Sequence, residues 1–253
     1  MVKGLGYLLE VKDLKKSFGG IQALRGVSLN VRMGEIVGVI GPNGSGKTTL
    51  FNLIMGVYKQ DSGEIYFEGR EISKLKTYQR VSLGIARSFQ VPRNLTTPAV
   101  ENIGLHLLPN SLRALMYRSG IRAESVRIGA TVGLENELWR LPSELTIGDL
   151  RRLQLAEVIA KEPKLALLDE IFAGLTPEEA GYLCKTITRL KKDKYVTFIL
   201  IDHNIRYIKD IVARFFVLDR GVKIAEGQIE EILSNQDVIK AYMGESELWP
   251  FLK

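Results

Sequence analysis

A chain of 253 residues that is 45% hydrophobic and 25% charged is long enough to bury a substantial core and has the balance of an ordinary globular protein. Its longest apolar runs, EIVGVIG and VTFILI, fall far short of the ~20 residues that span a bilayer; its first residues lack a signal-peptide hydrophobic region, and a single cysteine, Cys184, excludes an intrachain disulfide. A soluble, cytoplasmic chain is expected, and 35 basic against 29 acidic side chains (+6) suit a negatively charged ligand or surface without requiring one.

In chain order, residues 7–12, 26–31 and 35–40 read as strands, the last a buried-type run that feeds into a glycine-rich turn and a helix from about Lys47. Residues 63–72, GEIYFEGREI, alternate like a hairpin, so the first part combines antiparallel strands with one central parallel-type unit. From about Val91 to Leu141 the pattern turns to short helical pieces broken by Pro92, Pro98, Pro109 and Gly120, a candidate helical subdomain. A helix over 149–161, the strand LALLD, a helix over 177–192, the strand VTFILID, a helix over 204–213 and the strand FFVLD follow. That alternation implies parallel strands with crossover helices. Cys184 sits in an apolar-periodic segment between Leu183 and Ile187 and reads as a buried filler.

The turn after the third strand, GPNGSGKT (Gly41–Thr48), fits G-x-x-x-x-G-K-[ST] and lies where its mechanics require, between a strand and a helix. Gly41, Gly44 and Gly46 let the backbone curl so that its N–H groups converge on phosphate oxygens, with Pro42, Asn43, Ser45 and Thr49 completing the cradle. Lys47 then reaches the β and γ phosphates and the Thr48 hydroxyl binds Mg²⁺, so the ligand is expected to be a nucleoside triphosphate. A dinucleotide site is disfavoured, because the order here is G-x-x-G-x-G rather than G-x-G-x-x-G.

LALLDE ends in Asp169 and Glu170 at the carboxyl end of a hydrophobic strand. Beside a phosphate loop, Asp169 is expected to anchor Mg²⁺ opposite Thr48, and Glu170 to orient and polarise the attacking water as general base. His203 follows VTFILID at another parallel strand end, in reach of the γ-phosphate or the water; His106 lies in the helical stretch and reads as structural. In ELTIGDLRRLQLAEVIA, Thr146 and Asp149 have capping-box spacing ahead of an apolar-periodic helix that is expected to start near Asp149. Gly148 leaves room in its first turn for an anion.

The order of GPNGSGKT, SFQ with Gln90, LTIGD, LALLDE, AGLTPEE and IDH resembles the ATP-binding subunit of ABC transporters over essentially the whole chain. The resemblance implies an α/β P-loop NTPase of ABC type, with a mixed, largely parallel sheet core, an antiparallel β subdomain and a helical subdomain. One domain over 1–253 is expected, about 1–90 and 162–253 forming the core and β subdomain, and about 91–161 the helical subdomain with the signature motif. By the same resemblance Phe18 stacks on adenine, Gln90 senses Mg²⁺ or the attacking water and links to a membrane subunit, and His203 is the switch histidine. The signature, typically L-S-G-G-Q, acts in trans on ATP held by a second subunit, which assigns that role to Thr146, Ile147, Gly148 and Asp149.

This chain departs from the pattern at Thr146 for Ser, Ile147 for the first Gly and Asp149 for Gln, and also at Ile171 and Thr176, where Pro and Asp are usual. The hydroxyl of Thr146 and the close approach at Gly148 are kept; Asp149 is expected to turn inward as a cap or to meet Arg151 or Arg152. IGDLRRLQLAEVIA, AGLTPEE and the closing AYMGE look most like the ATPases of branched-chain amino-acid importers, with urea or amide import and lipopolysaccharide export as neighbouring alternatives. The implied ligands are ATP and Mg²⁺. The implied partners are a second ATPase, identical or paralogous, two transmembrane permeases and, through them, a substrate-binding protein, at the inner face of the membrane and without nucleic acid. Val91–Leu108 matches the surface where a coupling helix docks, and Trp249, Pro250 and Phe251 read as a terminal staple. A soluble nucleotide-switched ABC protein is the alternative from another class. A kinase or small G-protein does not explain LTIGD, DE and IDH together.

Overall fold

The computed structural model describes residues 6–88, 96–107, 118–202 and 204–242. Within them the first elements are β1 (Leu9–Phe18), β2 (Ile21–Val31), β3 (Ile36–Ile40), α1 (Lys47–Met55), β4 (Ser62–Phe67), β5 (Arg70–Glu71), α2 (Thr77–Ser82) and β6 (Ile85–Arg87). Next come α3 (Ala99–Leu107), α4 (Arg118–Thr131), α5 (Ile147–Ile159), β7 (Leu165–Asp169), α6 (Pro177–Lys194) and β8 (Thr197–Ile201). The last are α7 (Ile205–Ile208), β9 (Arg214–Asp219), β10 (Val222–Gly227), α8 (Ile229–Ser234) and α9 (Gln236–Ala241).

Two sheets form, an antiparallel one in the order β2-β1-β4-β5 and a six-stranded one in the order β10-β9-β3-β8-β7-β6. In the larger sheet β9, β3, β8, β7 and β6 are parallel and only β10 is antiparallel, as expected for strands joined by crossover helices. Strands β3, β7 and β8 are apolar without alternation because both of their faces are covered. Their period-2 geometry splits them between two cores. Val37, Val39, Leu165, Leu167, Ile199 and Ile201 pack with α1 and the antiparallel sheet. Ile36, Ile40, Ala166, Leu168, Phe198 and Leu200 pack on the other face with α5, α6 and the helices around them. Gly38 is required inside β3 because a Cβ there would run into the Phe215 ring of β9. Helices α3, α4 and α5 pack on one another.

One buried cation holds the helix that follows the phosphate loop. Arg80, almost fully buried, donates to the carbonyls of Leu53 (2.6 Å) and Ile54 (2.8 Å) in the last turn of α1, and to those of Leu75 and Ser73. It adds a donor to the Leu53 carbonyl, which also accepts from the Gly56 N–H, supplies one to the Ile54 carbonyl, and places positive charge at the negative end of the helix dipole. Burial lowers its pKa to about 10, so it stays charged at neutral pH.

Parallel strands put all their carboxyl ends on one edge. Ile40, Arg87, Asp169 and Ile201 end neighbouring strands there, so the loops that follow converge on one place.

Candidate active site

Past Ile40 the backbone needs conformations that side chains resist. Gly41, Gly44 and Gly46 have φ of 152°, 77° and 105°. A Cβ on Gly41 would collide with the Leu218 carbonyl, and one on Gly46 with the Ala23 carbonyl and Leu24. The curl is pinned where the Gly221 N–H donates to the Ser45 carbonyl (3.0 Å). Gly46 caps α1 without a side-chain acceptor, so the first-turn N–H groups and the positive end of the helix face the loop. Lys47 is buried, and its ammonium donates to the carbonyls of Gly41 (2.6 Å) and Pro42 (2.9 Å) inside that curl. The buried Ser45 hydroxyl has no hydrogen-bond partner among the described residues. Asn43, Gly44 and Thr48 are exposed, and Thr49 is half-buried. A buried, unpaired hydroxyl within a nest of N–H donors and a lysine suits a polyphosphate.

The neighbouring strand end is acidic. Asp169 has a side chain 0% exposed; its Oδ2 accepts from Arg87 Nη2 (2.7 Å), and its backbone N–H donates to Ser88 Oγ (2.9 Å). Arg87 also donates to Asn52 Oδ1 of α1 (2.5 Å) and lies over the Phe51 ring, which ties the carboxylate to the helix that carries Lys47. The other oxygen, Oδ1, is buried without a hydrogen-bond partner among the described residues. Burial holds the Asp169 pKa above the ordinary carboxylate range, against the opposing pull of Arg87 and Lys47 and with the Glu170 charge adding to the rise. Glu170 adopts φ 52°, a left-handed conformation that is costly for a residue with a side chain, and its N–H donates to the Ile201 carbonyl (2.8 Å). It therefore leaves the strand direction at the first residue past Asp169.

Among the described residues no group of three or more His, Cys, Asp or Glu side chains forms a metal cage. A single carboxylate with one uncommitted oxygen, together with the hydroxyl of the exposed Thr48, is instead a donor set of the kind that suits Mg²⁺, which completes its shell with phosphate oxygens and water.

The signature stretch folds as a full capping box. Helix α5 begins at Ile147, two residues before the expected start, because Thr146 is its N-cap and Asp149 its third residue. Thr146 Oγ1 accepts from the Asp149 N–H (3.1 Å) and donates to Asp149 Oδ2 (2.7 Å). Asp149 Oδ1 accepts from Arg152 (2.5 Å), and Arg152 also donates to the Gly133 carbonyl (2.6 Å) and lies over Tyr182. Of the two basic partners expected for Asp149, the structure selects Arg152. Arg151 instead donates to the Ala173 carbonyl in the loop after Glu170. The carboxylate is thus buried and neutralised, and the single hydroxyl proton of Thr146 is spent on it. A Cβ on Gly148 would meet the Glu179 carboxylate and require that side chain to shift, and Ile147 stands 55% exposed at the helix tip.

Residues that sequence patterns did not single out complete the strand-end cluster. Buried Asp202, just past the end of β8, accepts from the Phe172 N–H (3.1 Å) and the Asn204 N–H (2.8 Å), and so joins the loop after Glu170 to the backbone that leads into α7. Thr176 caps α6 through a second capping box with Glu179, and Ile171 is core. Phe18, 40% exposed, ends β1 beside the β2 residues that pack on Gly46. Gln90 and His203 lie outside the described residues, as do Trp249, Pro250 and Phe251. His106 is half-buried and 4.0 Å from Glu157; burial lowers its pKa to about 4 and raises that of Glu157 to about 7. Cys184 is half-buried, its thiol donates to the Tyr207 carbonyl, and burial pushes its pKa to about 12, as a filler rather than a nucleophile requires.

Comparisons with known proteins bear on the sequence and the fold as a whole. The family pattern described as ABC transporter matches residues 24–173, and that of the branched-chain amino acid ATP-binding cassette transporter matches residues 222–247. The high-affinity branched-chain amino acid transport ATP-binding protein LivG of Salmonella typhimurium is 36% identical over 252 residues, covering 94% of this chain and 98% of that protein. Among solved structures, a nucleotide-free ATP-binding cassette from an ABC transporter superposes with a TM-score of 0.85 at 30% identity, over 94% of this chain and 100% of that one. A cassette of an ABC transporter in its ADP conformation gives 0.84 at 31% identity, over 94% and 99%.

Proposed function

This chain belongs to the ABC transporter family, in the group of branched-chain amino-acid ATP-binding proteins, and on that premise we propose that it is the ATP-hydrolysing motor subunit of an importer for branched-chain or other hydrophobic amino acids. The observation that carries the catalytic part is the buried, unpartnered oxygen of Asp169, tied through Arg87 and Asn52 to the helix of the phosphate loop.

Backbone N–H groups between Asn43 and Thr49 hold the β and γ phosphates, and Lys47 exchanges the Gly41 and Pro42 carbonyls for phosphate oxygens. Thr48, Asp169 and Gln90 would hold Mg²⁺, which when bound neutralises charge on the β and γ oxygens. Glu170 orients the attacking water and accepts its proton, and His203 holds the γ-phosphate or that water. Phe18 takes the adenine face. The tip of α5 acts in trans in a head-to-tail dimer: the N–H groups of Ile147 and Gly148 meet the partner's γ-phosphate, and Asp149 shapes the turn from within. ATP binding closes the dimer, and hydrolysis to ADP and phosphate resets it.

The second ATPase is identical or paralogous. The pair works on two transmembrane permeases at the inner membrane face, supplied by a substrate-binding protein. No helix among the described residues is long and apolar enough to cross a membrane.

Reconstitution with the two permeases and the binding protein in liposomes tests this reading. ATP-dependent leucine uptake that is lost with Lys47→Ala is expected. Uptake of urea or amides, or extraction of lipopolysaccharide, would reassign the cargo, and purification with nucleic acid instead of permeases would overturn the transport reading.

A further inference from the structure

The hairpin that carries Phe18 also carries an aromatic contact that the phosphate chemistry does not use. Phe18 and Tyr58 stand 5.1 Å apart between ring centroids with their planes at 71°, an edge-to-face pair. Both rings are half-exposed, at 40% and 41%, whereas two aromatic rings that served only the core would be buried. Ile21, opposite Phe18 across the hairpin, and Val57 are exposed beside them, so the corner is apolar and open.

Its backbone is fixed from both sides. Asp61 accepts from Lys16 Nζ (2.8 Å) and from the Ser17 N–H (2.6 Å), and its own N–H donates to the Lys15 carbonyl. These bonds fasten the segment after Tyr58 to the end of β1. Lys16, held by Asp61, reaches 5.2 Å from the Phe18 centroid. At its other end Tyr58 follows Gly56, the C-cap of α1, so it rides on the helix that begins with Lys47. The second strand of the hairpin packs through Ala23 and Leu24 on Gly46. Phe18 and the phosphate loop are thereby linked along two routes, and Tyr58 is the joint of one of them.

We propose that Tyr58 is a positioning residue for nucleoside recognition: its edge-to-face contact sets the plane of Phe18, so that the base of the triphosphate meets a ring already oriented. This rests on the reading of Phe18 as the surface that takes the base. Tyr58 therefore acts on the base and leaves the phosphates unaffected, a separation that a merely structural role would not produce.

Affinities of the full-length chain for ATP and for inorganic tripolyphosphate, each measured by displacement of a fluorescent ATP analogue, test it. An aromatic pair of this kind corresponds to a change of roughly threefold to tenfold in an equilibrium constant. Tyr58→Ala is expected to weaken ATP by that factor and to leave tripolyphosphate within about twofold of the parent, and Tyr58→Phe to behave as the parent. Phe18→Ala combined with Tyr58→Ala is expected to be no weaker than Phe18→Ala alone, because one residue acts through the other. Tyr58→Leu, which keeps apolar volume without a ring edge, replaces Tyr58→Ala should that variant not fold. The proposal is overturned if Tyr58→Ala binds ATP like the parent while Phe18→Ala does not, or if ATP and tripolyphosphate weaken together. Unchanged ATP affinity in Phe18→Ala would instead remove the reading on which it rests.

Discussion

Replacing Arg87 with methionine removes one partner of a buried ion pair. The Arg87 side chain is 11% exposed and that of Asp169 0%, so the abandoned carboxylate cannot turn to water, and Asn52 loses its donor as well. Breaking such a pair costs about 3–5 kcal/mol, far above the ~0–1 kcal/mol of a surface pair. For a chain of this size each kcal/mol lowers the melting temperature by about 2–4 °C, so a fall of about 6–20 °C is expected in a thermal melt followed by circular dichroism. Adding Asp169→Asn removes the stranded charge, and the double variant is expected to regain more than half of the loss. A fall below about 2 °C, or a double variant destabilised by the sum of the two single changes, would refute the reasoning.

Other outcomes follow from the same physics. Glu157→Gln has a pH signature: its carboxyl is raised from 4.5 to about 7 by burial, so as pH climbs through that window the unfolded chain ionises first and the fold loses stability. The full shift corresponds to roughly 3 kcal/mol, reduced by the 24% of the side chain that stays exposed; the variant should melt above the parent at pH 8 and with it at pH 4. Gly148→Asp places a side chain against Glu179 and a charge at the tip of α5, and should abolish ATP-driven dimerisation in light scattering. Thr146→Ala should leave dimerisation within about tenfold and lower stability by ~1 kcal/mol, the worth of a cap, because its hydroxyl proton already serves Asp149. Arg80→Met should lower the urea midpoint by removing the buried donor to the Ile54 carbonyl and the second donor to that of Leu53, at about 1–3 kcal/mol.

What could be read from the sequence was local chemistry. IVGVIG, LALLD and VTFILID lie on the sheet as expected, and the glycines of GPNGSGKT sit at φ values that only glycine adopts easily. The capping box of Thr146 and Asp149 is visible in its spacing, although counting from Asp149 placed the helix start two residues late. The helix expected over 204–213 stops at Ile208. Its apolar spacing continues through Ile211 and Val212, but the Ala213 N–H donates to the Ile36 carbonyl, and pairing in the sheet overrides the local period. Arg87 and Arg80 could not be recognised, since the partners that give them their roles, Asp169 and the Leu53 carbonyl, lie 82 and 27 residues away and no local pattern marks them. Asp202 falls in the same class: an acidic residue at a strand end reads as solvated until the fold brings the Phe172 N–H to it.

The central claim, that Glu170 serves the water while the phosphate loop and Asp169 hold the nucleotide, is tested most directly by Glu170→Gln, in which ATP binding and hydrolysis are measured on the same preparation. The account predicts ATP affinity like that of the parent, with hydrolysis reduced by at least about a hundredfold, the contribution of a general base. Hydrolysis at the parent rate would contradict it.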